Sequence, residues 1–385
     1  MRHSCKIDMT DIRRPLAVKA FQQTVYHVPI WICCDFFAWM RLAARNHFRC
    51  SPSRLHRLFM ISLFTLSHTW LRWLQQARYG RRIAATPIHE APIFVIGHWR
   101  SGTTLLHELL VLDPRHTFAN SYECFAPNHF LLTESFVLRW FDFTISRQPI
   151  DNVMVGWDRP QEDEIALCMM GQPSPYLDVA FPNHPPAYPE YRDLEGLSPA
   201  ELASWKHAFL TFLRALTLKK PGKLVLKSPT HTYRIKALRE LFPDARFVHI
   251  VRDPYTVFPS TVHMLRSLYQ VYGLQRPTYE GLEERIYTEF IHLYERLEKA
   301  RSTLDASRFY ELRYEDLIRD PVEEMRRLYK GLELDGFEQY RPRLEAHLAT
   351  SNRYETNRYK LDPQQRAQIT QRWHPVICRY GYETA

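Results

Sequence analysis

The sequence predicts an α/β fold: a P-loop-like parallel sheet flanked by helices, with a helical extension at the N-terminus. Three observations carry this expectation. The apolar run Pro92-Ile93-Phe94-Val95-Ile96 leads into Gly97-His98-Trp99-Arg100-Ser101-Gly102-Thr103-Thr104, and Leu105 to Leu110 continues as a helix, giving strand, glycine loop, helix. A second strand signal, Arg246 to Val251, runs straight into Arg252-Asp253-Pro254, where aspartate and proline open a helix. Between and after these, helix and strand patterns alternate as an α/β domain requires.

In chain order, residues 1–88 are expected to form the N-terminal helical extension and 89–385 the main domain. The extension holds two apolar stretches, Ala20 to Cys34 and Leu58 to Leu71, separated by the basic run Arg41 to Arg57 and followed by Arg78, Arg81 and Arg82. Neither reaches the length of uninterrupted apolar sequence that a spanning helix needs. No charged n-region, short apolar h-region and small-residue cleavage site opens the chain, so no secretory signal is expected and a cytoplasmic location is. Two readings stay open. The stretches are helices packed on the main domain, the usual meaning of an apolar helical face, or they lie peripherally in a membrane interface with tryptophans and arginines at its boundary.

Further along, Ser198-Pro199-Ala200-Glu201 supplies an N-cap, a first-turn proline and a first-turn acid for a helix to about Leu218, which Pro221-Gly222 ends. Strand 223–226 then places Lys227 at its carboxyl end. A helix over 280–303, a strand at Phe309 to Leu312 and a helix starting at Asp320-Pro321 complete the pattern. The proline- and aromatic-rich segment 149–193 reads as a long irregular excursion of the kind that lines a binding site.

Composition narrows the class. With 385 residues, 45% apolar and 24% charged, the chain can bury a large core, and disorder is not indicated. A formal charge of +9 raises nucleic acid as a partner, but Lys and Arg are spread along the chain and no finger or basic-helix pattern appears. A polyanionic ligand, with an anionic membrane surface as a further partner, accounts for the charge instead. The cysteines at 5, 33, 34, 50, 124, 168 and 378 form no C-x-x-C pair and are odd in number, which favours a reducing compartment and disfavours a cysteine zinc site.

The glycine loop is built to hold an anion, since its backbone N–H groups and the positive end of the helix dipole point at one place. A nucleoside triphosphatase loop carries lysine after its second glycine; here that position is Thr103, and the basic residue is Arg100, inside the loop. ATP or GTP hydrolysis is therefore disfavoured.

Residues 97–104, together with Arg252 and Ser260 eight positions later, resemble the sulfotransferase family, which moves a sulfuryl group from 3′-phosphoadenosine 5′-phosphosulfate (PAPS) to a hydroxyl or amine. The resemblance covers roughly residues 92–382. It implies that Gly97, Arg100, Ser101, Gly102, Thr103 and Thr104 hold the phosphosulfate of PAPS, and that Arg252 and Ser260 hold its 3′-phosphate. Arg100 and Lys227 are the cations expected to steady the transferring group, with no metal required. Arg358 and Tyr359, in the basic and aromatic stretch Arg353 to Lys360, are the expected closing loop over the nucleotide. Physically, PAPS carries charge at both ends of one ribose, and adjacent strand ends of a parallel sheet offer two such sites; the arginine fork of Arg252 suits a phosphate.

The general base has several candidates. One branch of the family places a histidine two residues after the lysine; here that residue is Pro229. Other branches place a glutamate at the end of the next strand, about twenty residues past the loop, where this chain has Glu123, the first choice. The cluster Glu162-Asp163-Glu164 resembles a segment of bacterial-type members and puts Glu162 and Glu164 beside Glu123 as candidates, against a reading as helix-capping acids. His231 comes third. Two other functions are carried as alternatives: a P-loop kinase-like phosphotransferase, which would need Mg²⁺ and a phosphate-reaching lysine, and a non-catalytic PAPS-binding, membrane-associated protein. The acceptor, whether small molecule, sugar or lipid, and a homo-oligomeric state stay open, and no nucleic-acid partner is expected.

Overall fold

The computed structural model describes residues 30–141, 156–350 and 361–382. After a 3₁₀ turn at Ile30–Cys33, the N-terminal part consists of α1 (Phe36–Arg45) and α2 (Leu55–Ala85). The chain then runs β1 (Ile93–Ile96), α3 (Thr103–Leu110), β2 (His116–Thr117), α4 (Ser121–Phe125), α5 (Phe130–Phe141), α6 (Asp163–Met169) and α7 (Pro199–Lys219). The second half continues β3 (Lys223–Lys227), α8 (Ile235–Leu241), β4 (Arg246–Val251), α9 (Pro254–Tyr272) and α10 (Leu282–Arg301). It ends with β5 (Phe309–Arg313), α11 (Tyr314–Arg319), α12 (Pro321–Gly331), α13 (Phe337–Thr350) and α14 (Pro363–Arg379).

The five strands form one sheet in the order β2-β3-β1-β4-β5, and all four neighbouring pairs are parallel. In the centre, Ile93 pairs with Val225 on one side and Arg246 on the other. Because both faces are covered by helices, β1 and the middle of β3, at the centre of the sheet, are continuous apolar runs rather than alternating ones. Alternation persists in where the side chains go. Phe94 and Ile96 enter the larger core with Leu224, Leu226 and Phe247, while Ile93 and Val95 enter the smaller one with Val225, Val248 and Ile250. The sheet thus presents the carboxyl ends of β1, β3 and β4 side by side, and each is followed directly by residues of the expected site.

The N-terminal helices share the larger core: Trp39, Leu42, Ile61 and Ile83 are all buried in it. Asp35 caps α1 by accepting from the backbone N–H of Phe37 and Ala38, and Arg72 of α2 lies 2.8 Å from the same carboxylate. The stretch Leu58 to Leu71 is part of a single helix more than twice its length, because no breaker occurs until Thr86-Pro87. Residues 20–29 of the first apolar stretch lie outside the described residues. The described part of 149–193 is less irregular than expected, with α6 and two 3₁₀ turns, Pro175–Ala180 and Pro189–Tyr191, inside it.

Candidate active site

The loop after β1 is held open by contacts that its sequence specifies. Gly97 has φ 150°, and a Cβ there would meet the Ile250 carbonyl oxygen at 2.6 Å, so β1 and β4 can approach only with glycine. Gly102 has φ 104°, and a side chain on it would overlap the Tyr314 ring. The Gly97 N–H donates to Thr232 Oγ1 at 2.9 Å, and the Ser101 hydroxyl donates to the His98 carbonyl at 2.8 Å. Burial pushes His98 down to about 4, so this loop histidine is neutral and bonds the Trp99 carbonyl through Nδ1.

The helix that follows is left uncapped. Gly102, the N-cap of α3, offers no side-chain acceptor, and no acid lies in the first turn. By contrast α7, α9, α12 and α14 are capped by Ser198, Asp253, Asp320 and Asp362. An uncapped N-terminus leaves its first-turn N–H donors and dipole for an external anion. Two glycines, Thr103, Thr104 and this bare helix start therefore fit a phosphate or sulfate group.

β3 runs parallel to β1 and ends at Lys227, whose side chain is almost fully buried. Its Nζ lies 2.9 Å from Glu162 Oε1 and 3.5 Å from Thr104 Oγ1 in the first turn of α3. Glu162 is the N-cap residue of α6, and the Tyr176 hydroxyl donates to its other carboxylate oxygen. The Tyr176 ring packs against Trp99 of the loop, with centroids 6.2 Å apart. A carboxylate, a lysine and a threonine hydroxyl thus converge at the carboxyl edge of the sheet, walled by two aromatics.

The other two acids of the cluster point elsewhere. Asp163 accepts from His231 Nε2 at 2.6 Å and from the Ser228 hydroxyl at 3.2 Å; burial works against its charge, but His231 holds its pKa below the usual range. Glu164, counted among the catalytic candidates, is instead fully buried against the Arg234 guanidinium and accepts from Ser174 and Thr230. Asp163 and Glu164 clamp the segment 228–234 onto α6, and His231 is consumed in that clamp.

Glu123 also stands apart. It does not end a strand: it is the third residue of the short helix α4, where it completes a capping box with Asn120. One carboxylate oxygen accepts from the Asn120 N–H at 2.7 Å and the other from Lys219 Nζ at 2.7 Å. Burial raises its pKa in spite of Lys219. Its hydrogen-bond partners are Asn120 and Lys219, not Arg100 or Lys227, so the structure does not bring this first-choice base to the converging group.

The structure also brings together Arg252, Arg100 and Ser260. Arg252 follows β4 directly, its guanidinium lies 4.2 Å from the Tyr314 ring centroid, and it donates to the Arg100 carbonyl at 3.1 Å. Arg100 has a left-handed φ of 69°, and its Nε–H donates to Ser260 Oγ at 2.9 Å. Arg100, Arg252 and Ser260 are therefore one hydrogen-bonded unit. Arg358 and Tyr359 lie outside the described residues. Tyr176, Tyr314, Thr232 and Lys219 were not singled out by sequence. Each acts through a contact distant in the chain, and only the Asn120 to Glu123 capping spacing offered a local signal. Among the described residues no cluster of His, Cys, Asp and Glu could hold a metal ion.

The model of the Sulfotransferase family matches residues 92–339, from β1 into α13 and across both anchors. The chain belongs to the sulfotransferase family. Over 356 residues, 92% of each chain, it is 48% identical to omega-hydroxy-beta-dihydromenaquinone-9 sulfotransferase Stf3 from Mycobacterium tuberculosis. It is 27% identical to mouse carbohydrate sulfotransferase 4 over 69% of each chain. The fold matches that of sulfotransferase STF9 from Mycobacterium avium, with TM-score 0.69 and 20% identity over 98% of this chain and 99% of that one. Sulfotransferase STF1 from Mycobacterium tuberculosis gives TM-score 0.60 at 19% identity, with 94% and 93% covered. This sulfotransferase is thus an enzyme of sulfuryl transfer, and the kinase-like and non-catalytic alternatives are set aside.

Proposed function

We propose that the enzyme transfers the sulfuryl group of PAPS to the hydroxyl of a lipid-soluble acceptor, with Glu162 as the general base. The observation that carries this reading is the Lys227–Glu162 pair, 2.9 Å apart, beside the uncapped start of α3. Glu162 takes the acceptor proton as the acceptor oxygen bonds to sulfur. The sulfur–oxygen bond to the phosphate breaks in line, and charge grows on that phosphate oxygen, where Lys227, the Thr104 hydroxyl and the α3 N–H groups stabilise it. Arg252 and Ser260 hold the 3′-phosphate, and the products are a sulfate ester and adenosine 3′,5′-bisphosphate. Glu123 and Glu164 shape the protein around this centre.

The acceptor class draws support from two sides. Trp99 and Tyr176 wall the approach to Glu162 with aromatic surface, and the 48% identical relative is named for an ω-hydroxylated dihydromenaquinone. The test is transfer of label from PAPS to an ω-hydroxylated dihydromenaquinone, a short water-soluble alcohol and an amino sugar. Preference for the quinone derivative supports the assignment, and preference for the sugar overturns it.

A further inference from the structure

Helix α2 is turned inside out relative to an ordinary surface helix. At 100° per residue, Leu55, Phe59, Leu63, Leu66, Trp70, Trp73 and Leu74 fall within about 100° of one another, a complete amphipathic stripe. That stripe faces outward: Phe59 is 70% exposed, Trp70 60% and Trp73 56%. The side toward the protein buries Ile61 and Ile83 but is otherwise largely polar. Thr65, Thr69 and Gln75 are buried, Arg72 pairs with Asp35, and His68 meets His129 at 2.7 Å. From Leu55 to Ala77 the stripe runs for about 33 Å at the rise of an α-helix, larger than the scattered exposed apolar residues of an ordinary surface.

Charge identifies what covers it. Residues 36–85 contain nine arginines and no Asp or Glu. Arg54 and Arg57 donate to carbonyls at the end of α9. Arg41, Arg49, Arg81 and Arg82 are exposed, and Arg49 and Arg81 flank the two ends of the stripe. A second copy of the chain would set these arginines against their own kind. An anionic lipid surface matches both features, taking the Leu, Phe and Trp side chains at the acyl boundary and the arginines at its phosphates. No helix among the described residues is long and apolar enough to cross a membrane, so the helix lies in the plane.

We propose that α2 is a docking surface for anionic bilayers, with Leu55 to Ala77 parallel to the membrane. The proposal goes beyond the reaction and does not depend on the acceptor. Full-length protein is mixed with vesicles of phosphatidylcholine alone or with phosphatidylglycerol, and bound protein is sedimented. Binding to the anionic vesicles is expected, weakening as salt is raised. Phe59→Glu/Leu66→Glu/Trp70→Glu should abolish it while leaving the melting temperature and the transfer rate to a water-soluble alcohol unchanged. Arg78→Glu/Arg81→Glu/Arg82→Glu should weaken anionic binding by roughly tenfold or more, since each basic residue at such a surface is worth about fivefold. Three outcomes overturn the proposal: no sedimentation of the parent protein with either vesicle, equal sedimentation of the triple glutamate variant, or a dimer that the variant dissociates without any vesicle binding. Failure of lipid sulfation with intact vesicle binding would refute the acceptor assignment alone.

Discussion

Replacing Glu162 by glutamine keeps the shape of the side chain and removes its basicity. In the structure this carboxylate contacts Lys227 at 2.9 Å and accepts from Tyr176, while Glu123 is occupied by Asn120 and Lys219. Loss of a general base costs about 10²–10⁴ in rate, or ~3–5 kcal/mol of activation free energy. The amide can still bond Tyr176 but leaves the buried Lys227 cation without its counter-charge, so a stability loss of about 1–3 kcal/mol accompanies it. The assay is single-turnover transfer from labelled PAPS to a water-soluble alcohol at saturating donor, with affinity for adenosine 3′,5′-bisphosphate measured separately by calorimetry. Affinity should change little and rate should collapse. Glu123→Gln should do the reverse, lowering the melting temperature through the lost Lys219 pair while keeping near-normal turnover per folded molecule. If Glu162→Gln turns over normally and Glu123→Gln loses two orders of magnitude, the base is Glu123 and the geometric argument fails.

The remaining predictions concern the donor site and the buried charges. Arg252→Ala should cut the preference for adenosine 3′,5′-bisphosphate over AMP by the ~1.5–3 kcal/mol of a charge-assisted contact; equal calorimetric affinities in the parent protein would refute the 3′-phosphate assignment. Glu164→Gln strands the fully buried Arg234 guanidinium and should cost about 3–5 kcal/mol of stability, seen as a lower denaturation midpoint, with a parent-like midpoint as the refuting result. For Glu311, burial opposes ionisation, but the hydrogen bond from His249 and the Arg301 charge bring its pKa down to about 2. A lowered acid pKa contributes stability that is present above the ordinary value of 4.5 and lost as pH falls toward 2, so Glu311→Gln should lower stability near neutrality and flatten the stability–pH curve in that window, the two proteins converging as pH falls toward 2.

The parts of the fold readable in sequence were those set by local patterns. The β1 loop, the placement of Lys227 after β3 and of Arg252 after β4, and the caps at Ser198 and Asp320 all follow from short-range periodicity and capping chemistry. The site was readable to the same depth: the loop residues, Arg252, Ser260 and Lys227 are where their order implied. What escaped was direction. Glu162, Asp163 and Glu164 are consecutive at the start of one helix, so successive side chains leave at about 100° to each other. Which one reaches the donor edge is decided by Lys227, His231 and Arg234, more than sixty residues away. Glu123 has a suitable spacing from the loop, yet Asn120 three residues earlier makes it a capping partner and Lys219, on α7, completes its pairing. The apolar face of α2 is as clear in sequence as any core helix, and only the packed structure shows that it faces outward.

Arg100 gives the donor site a property that neither anchor has alone. Its backbone turns left-handed inside the phosphosulfate loop, its carbonyl receives Arg252, and its guanidinium holds Ser260. Any force that draws on Arg252 or Ser260 is therefore felt in the Arg100 turn, and in the proposed donor site that turn serves the other end of the nucleotide. The two ends are mechanically one lever, and their energies are not separable: substitutions at Arg252 and Ser260 act on shared bonds, where double-mutant effects depart from additivity. On the proposed donor assignment, a nucleotide lacking the 3′-phosphate loses more than one contact, because the Arg100 turn is no longer braced from the far side.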